Sequence, residues 1–210
     1  MEHRAMVMTV TYRPSRSDVA GMWAFIVAGA VIAVWAIVAS VLRIIHVAPN
    51  RDVRVPAVFA GTAAEAPIGA GGATVEVALD RADLIVPALP GASLAALIIQ
   101  QVLAAATIVI VVLCLILLCW AVMRGRVFGR RNTVLVTVAG VTGLIGFAAV
   151  PFLGNMAANG AFARVSEGDF NNVVMSVDPL PFLFLAFVSA MAGVVFALGD
   201  RLRRDTEGLV

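Results

Sequence analysis

The chain has 210 residues, of which 61% are hydrophobic and only 13% are charged. A soluble domain carries roughly 45–50% apolar and about 25% charged residues, so this composition excludes an ordinary water-soluble fold and points to a bilayer. The net charge of +2 is too small for a nucleic-acid footprint, and nothing in the length or composition divides residues 1–210 into more than one integral membrane domain. All fifteen basic residues are arginine, which together with the abundant alanine and valine suggests a GC-rich bacterial genome.

Four segments reach the roughly 20 mostly apolar residues that a spanning helix needs. The first covers residues 19–43. Arg13 and Arg16 precede it as in a signal peptide. Its apolar run is longer than a signal peptide's, however, and no small-residue cleavage site follows, so a retained helix is expected. The second covers 93–123, with Ser93 as N-cap. It exceeds the hydrocarbon thickness and must tilt or project, with Gln100 and Gln101 near its outer end. The third covers 133–153, capped by Asn132 and Thr133, with Pro151 marking its far end or a kink. The fourth covers 179–199, introduced by Asp178 as N-cap and Pro179 as first helical residue.

Between the first two helices lies an outer loop, 46–92, that is too long to be a plain connector. Residues 52–59 read as a strand, and 74–79 alternate polar and apolar as a half-buried strand does. Residues 61–72 are small and loop-like. The second outer loop, 155–178, offers a third strand at 172–177. Two strands are marginal alone, while three with a packed face are viable. The expected fold is therefore an all-α membrane protein with four transmembrane helices and a small extracytoplasmic β-element from the two outer loops.

Arginine placement gives the orientation. Ten arginines fall on one side: Arg4, Arg13 and Arg16 in the N-terminal tail, Arg124, Arg126, Arg130 and Arg131 between helices two and three, and Arg201, Arg203 and Arg204 at the C-terminus. The other side carries Arg51, Arg54, Arg81 and Arg164. Both termini and the short loop are expected to be cytoplasmic.

Signs of chemistry are sparse. No charge lies within the apolar centres, which weakens a proton-coupled transporter or ion pump. Ser40, Gln100, Gln101, Thr107, Thr137, Thr142 and Ser189 suit bonds to their own or a neighbouring helix. His3 and His46 fall on opposite sides, and no catalytic triad, phosphate loop or metal-ligand spacing is present, so no catalytic residue, metal or cofactor is expected. Cys114 and Cys119 are about 140° apart around a helix and read as small hydrophobes. Small residues recur at Ala20, Ala24 and Ala28, at Gly140, Gly143 and Gly146, and at Ala186, Ala190, Gly193 and Ala197. These are expected to be seams within the monomer or between copies of a homo-oligomer. Arg124, Arg126, Arg130, Arg131, Arg203 and Arg204 are the candidate contacts to anionic lipid headgroups or to a cytoplasmic partner.

Gly125-Arg126-Val127-Phe128, followed by Asn132 and Leu135, resembles the link between helices two and three in a bacterial membrane family known as domain of unknown function 2975. The ending Leu202-Arg203-Arg204-Asp205-Thr206-Glu207-Gly208-Leu209-Val210 and the Val53-Arg54-Val55-Pro56 segment are similar to that family as well. The resemblance implies four helices, internal termini and no established activity. Some members of the family are encoded beside small helix-turn-helix regulators, so the resemblance also implies a membrane partner of such a regulator. A non-enzymatic sensor or regulatory protein of the inner membrane is the expected function. A transport or lipid-handling protein, or a structural subunit of a larger complex, is the alternative.

Overall fold

Four apolar runs become four helices: α1 (Arg16–Val47), α2 (Gly91–Met123), α3 (Arg130–Val165) and α4 (Pro179–Glu207). The computed structural model describes residues 16–170 and 177–207. All four helices are long and apolar enough to cross a membrane, and at most 6% of each helix's most apolar 18-residue window is buried. The apolar surface therefore faces outward, as on helices that cross a bilayer.

The helices form a row. Among the described residues, α1 touches α2, α2 touches α3 and α3 touches α4, with no contact that would close a bundle. The faces used explain this. On α2, Ser93, Gln100 and Thr107 stand one heptad apart, and each meets a glycine of α3: Gly160, Gly154 and Gly146 respectively. A Cβ at Gly160 would lie 2.6 Å from the Ser93 Cβ, one at Gly154 would lie 2.5 Å from Gln100 Nε2, and one at Gly146 would lie 2.5 Å from Thr107 Oγ1. Buried Cys114 continues the same heptad. α1 packs on a different side of α2. Gly29 admits Val112 and Ile116, Ser40 Oγ donates to the Gln101 carbonyl at 3.0 Å, and Trp23 meets Trp120 edge-on at 5.9 Å. Thr107 and Val112 are five residues apart, about 140° around the helix, so α1 and α3 lie on opposite flanks of α2. Cys114 and Cys119 are likewise divided between the two flanks, and Cys119 Sγ sits 3.7 Å from the Met22 carbonyl.

Two small-residue expectations need correction. Ala20, Ala24 and Ala28 are exposed, and α1 uses Met22, Ile26, Gly29, Ala33, Ala36 and Ser40 instead, at alternating steps of four and three. The Gly140, Gly143 and Gly146 stripe is not one seam. Gly140 accepts Ser189 of α4, Gly146 accepts Thr107 of α2, and Gly143 has open space. A step of three residues rotates about −60°, so such a run cannot keep facing one neighbour. On α4, Ala186 and Gly193 are half-buried, while Ala190 and Ala197 are exposed.

The connection between α1 and α2 folds into an antiparallel hairpin, β1 (Val53–Ala66) and β2 (Val75–Val86). Val53, Val55, Ala57 and Phe59 alternate inward and are buried. The register breaks between Val58 and Thr62, at Gly61 with φ +72°, and the inward positions then shift to Thr62, Ala64 and Ala66. Part of the region expected as loop, 61–72, is thus strand. The third strand expected at 172–177 lies outside the described residues except for Val177, and the described sheet has two strands. Asn50 ties the base of the hairpin by donating from Nδ2 to the Leu89 carbonyl at 3.0 Å and accepting from the Leu89 N–H at 2.8 Å.

The end of α3 departs from the expected 153, where Pro151 was read as the far end or a kink. α3 continues through Pro151 to Val165, and this extension brings Ala157, Ala158, Ala161 and Phe162 under the hairpin. Phe59, Phe162 and Phe170 form a ring cluster, with Phe59 and Phe162 perpendicular at 5.1 Å and Phe162 and Phe170 at 5.0 Å. Ser93 is not a cap but a buried contact, because α2 begins at Gly91. Asp178 does cap α4, accepting from the Leu180 N–H at 3.1 Å.

The glycine seam gives a controlled test. Gly146→Ala adds a methyl inside the Thr107 side chain, and overpacking of this kind costs about 1–3 kcal/mol. Gly143→Ala meets nothing and gains helix propensity, about 1 kcal/mol. Thermal unfolding in detergent is expected to fall by several degrees for Gly146→Ala and to hold or rise for Gly143→Ala.

Candidate functional site: the arginine loop between α2 and α3

The densest charge in the chain is an ordered loop. α2 ends in a Schellman motif: the Arg126 N–H donates to the Ala121 carbonyl and the Gly125 N–H to the Val122 carbonyl, each at 2.9 Å. The motif needs a left-handed residue after the helix, and Gly125 supplies it with φ +72°. Asn132, 4% exposed, then pins the loop by donating from Nδ2 to the Arg126 carbonyl at 2.6 Å and the Val127 carbonyl at 2.9 Å. Asn132 and Thr133 were expected to cap α3. The helix instead starts at Arg130, and Gly129 receives the N–H groups of Asn132 and Thr133 at its carbonyl.

Aromatic side chains fasten the loop to its neighbours. The Arg124 guanidinium lies over the Trp120 ring at 5.0 Å, and Trp120 meets Trp23 of α1. Phe128 packs on Gly199 and meets Phe196 of α4 at 5.9 Å. All the helices therefore converge on this end of the row.

A cavity of about 220 Å³ opens here, lined by Trp120, Arg124, Arg126, Phe128, Arg130 and Arg131 among others. Gly129, Arg130, Arg131 and Asn132, at the start of α3, are part of its lining, and helix N-termini favour anions. Four arginines line this small cavity, and arginine binds phosphate or carboxylate in bidentate fashion.

Of the six candidate contacts, Arg124, Arg126, Arg130 and Arg131 come together. Arg203 and Arg204 lie in the last turns of α4, which extends to Glu207 instead of giving way to a tail after 199. Gly199 under Phe128 brings that helix end beside the loop. Asp205 is exposed and makes no ion pair among the described residues. His46 directs Nδ1 at the Leu42 carbonyl, 2.7 Å away on its own helix. Sequence reading missed Asn132 as the organiser of the loop. A polar side chain six residues beyond Arg126, at the first turn of a helix, was its only signal.

No family model, curated protein or solved structure matches the chain.

The pinned loop predicts its own loosening. Asn132→Ala removes two hydrogen bonds from a buried amide, about 1 kcal/mol each, and leaves two carbonyls unsatisfied. Limited trypsin digestion of the detergent-solubilised protein is expected to cut after Arg126 or Arg130 about tenfold faster than in the parent.

Proposed function

We propose that this chain is a multi-pass protein of the bacterial inner membrane, with both termini and the arginine loop cytoplasmic and the hairpin outside. We further propose that it acts without catalysis, as a sensor or regulatory protein working through contacts. The observation that carries this reading is the continuity of the α2–α3 pair. One end of the pair supplies Leu97, Ala157, Ala158, Ala161 and Phe162 to the hairpin core, and the other end holds the arginine loop. A signal met by the hairpin is then met by the same two helices that present the arginines to a cytoplasmic partner or to anionic headgroups.

Orientation rests on ten of fifteen arginines lying at the loop end or in the two terminal segments. Membership of the family known as domain of unknown function 2975 is part of the proposal. It is supported by the short motifs around Gly125–Phe128 and in the C-terminal segment, and with it comes the expectation of a helix-turn-helix regulator as partner. A lipid-handling role is the second reading, favoured by a cavity where the hairpin, α3 and the start of α4 meet.

Orientation is checked with single cysteines at Gly71 and Gly129, after Cys114 and Cys119 are replaced. A membrane-impermeant thiol reagent is expected to label position 71 in intact cells and position 129 only after lysis. The contact role is checked by changing Arg126, Arg130 and Arg131 together to glutamine. The variant is expected to reach the membrane at parental levels and to lose proteins that co-purify with the parent in mild detergent. Unchanged co-purification would reduce the arginines to topology anchors.

A further inference from the structure

A second cavity lies at the opposite end of the row, and its wall has an unusual combination of groups. It holds about 420 Å³ where the outer face of the hairpin, the middle of α3 and the start of α4 meet. Arg81 of β2 brings a cation, Asp178 brings an anion and Asn155 brings an amide, while Phe147, Pro151 and Val58 make an apolar wall. The volume falls in the range of small-molecule sites, about 300–1,000 Å³.

Pro151 adds a polar group that the side chains do not show. It sits inside α3 and has no N–H, so the Phe147 carbonyl, one turn earlier, lacks its helical donor. Phe147 and Pro151 both line the cavity, so the carbonyl without a helical donor belongs to a residue of its wall, as does the Asp178 carboxylate. Arg81 engages no carboxylate among the described residues. This includes Asp83, two positions along the same exposed face of β2. Asp178, also in the lining, accepts from the Leu180 N–H through Oδ1, and no partner of its Oδ2 is found among the described residues.

The cavity also sits at a defined depth. Asp178 immediately precedes α4, and Phe182, the next turn down, meets Phe147 at 6.1 Å. The charged wall is thus level with the start of the apolar span, and Phe147 is on the side of the hydrocarbon. A ligand filling this space meets a cation and oxygen acceptors at the polar level and rings below it.

We propose that this cavity binds a phosphoethanolamine headgroup, with the phosphate on Arg81 and the primary ammonium on Asp178 and the Phe147 carbonyl. A guanidinium suits a phosphate, and an ammonium with three N–H donors suits two oxygen acceptors on separate elements. Phosphocholine has the same charges but no N–H to give, and phosphoglycerol has no cation. The headgroup belongs either to a membrane phospholipid or to its water-soluble counterpart, glycerophosphoethanolamine. The inference rests on the reading that the four helices cross a bilayer but not on which way they face.

Native mass spectrometry of the full chain in detergent tests it, with dioleoyl phosphatidylethanolamine, phosphatidylcholine and phosphatidylglycerol added separately. Phosphatidylethanolamine is expected to be retained about tenfold better than the other two. Arg81→Gln and Asp178→Asn should each abolish that preference, and asparagine keeps the helix cap, so a loss cannot be assigned to unfolding of α4. Competition by glycerophosphoethanolamine at similar concentration would support the headgroup chemistry and assign the source as the soluble molecule. Failure of glycerophosphoethanolamine to compete would assign it as the lipid. Equal retention of phosphatidylglycerol or phosphatidylcholine, or variants that keep the parental preference, would overturn the proposal. Release of the parent from membranes by carbonate instead of detergent would show a different failure, that of the membrane-spanning reading.

Discussion

Three glycines of α3 set the distance between the two central helices, and the other elements take their places from that pair. Gly146, Gly154 and Gly160 each receive a polar side chain of α2, Thr107, Gln100 or Ser93. In a bilayer apolar side chains gain nothing by leaving lipid for one another, so close backbone approach and small polar contacts must hold helices together. The heptad spacing on α2 keeps these contacts on one seam over the length of the helix. No Cβ fits at Gly146 or Gly160 without a shift of the neighbour, which leaves α3 little freedom to slide or rotate on α2.

The row follows from the same pair. α2 gives one flank to α3 and another, about 140° away, to α1. Ser40 and Gly29 on α1 meet that second flank, and Gly140 on α3 opens a further seam for Ser189 of α4. Each seam is antiparallel and local, and none needs a third helix. Arg43 adds one long connection, donating from its guanidinium to the Arg54 carbonyl and tying the end of α1 to the hairpin. At the loop end, Trp23, Trp120 and Arg124 stack in sequence, joining α1 to the α2 terminus.

The number of helices and their apolar centres were legible because about 20 apolar residues in a row have few other uses. The α4 start was legible too, because Asp178 and Pro179 carry a cap in their covalent chemistry. The end of α3 was not. Pro151 was read as the far end or a kink and the helix was ended at 153, yet proline deletes one hydrogen bond and leaves the rest of the helix intact, and Ala157, Ala158, Ala161 and Phe162 reward its continuation by burial. Those four sit at one face with helical spacing, a pattern masked by the surrounding glycine and asparagine. Strand length failed for a different reason. The irregularity at Gly61 switches the inward positions from odd to even, so a search for one unbroken alternation ends at Phe59. At the arginine loop the charges were legible but their order was not, since order came from Gly125 and Asn132 rather than from any arginine.

The hairpin shows why the extension of α3 matters beyond bookkeeping of residues. A two-stranded ribbon is marginal by itself. Its inward side chains, Val53, Val55, Ala57 and Phe59, are buried against the first turns of α2 and the last turns of α3. Were α3 to end at Pro151, Phe162 would be absent and Phe59 would lose its perpendicular partner, an interaction of about 0.5–1.5 kcal/mol beyond the area it buries. The hairpin therefore has no stable position independent of α2 and α3. Its placement is set by the same glycine seam that, at the other end, sets where Asn132 meets the carbonyls of Arg126 and Val127. The β-hairpin and the basic loop are thus attached to the two ends of one closely packed helix pair, and a change in how α3 lies on α2 has to move both.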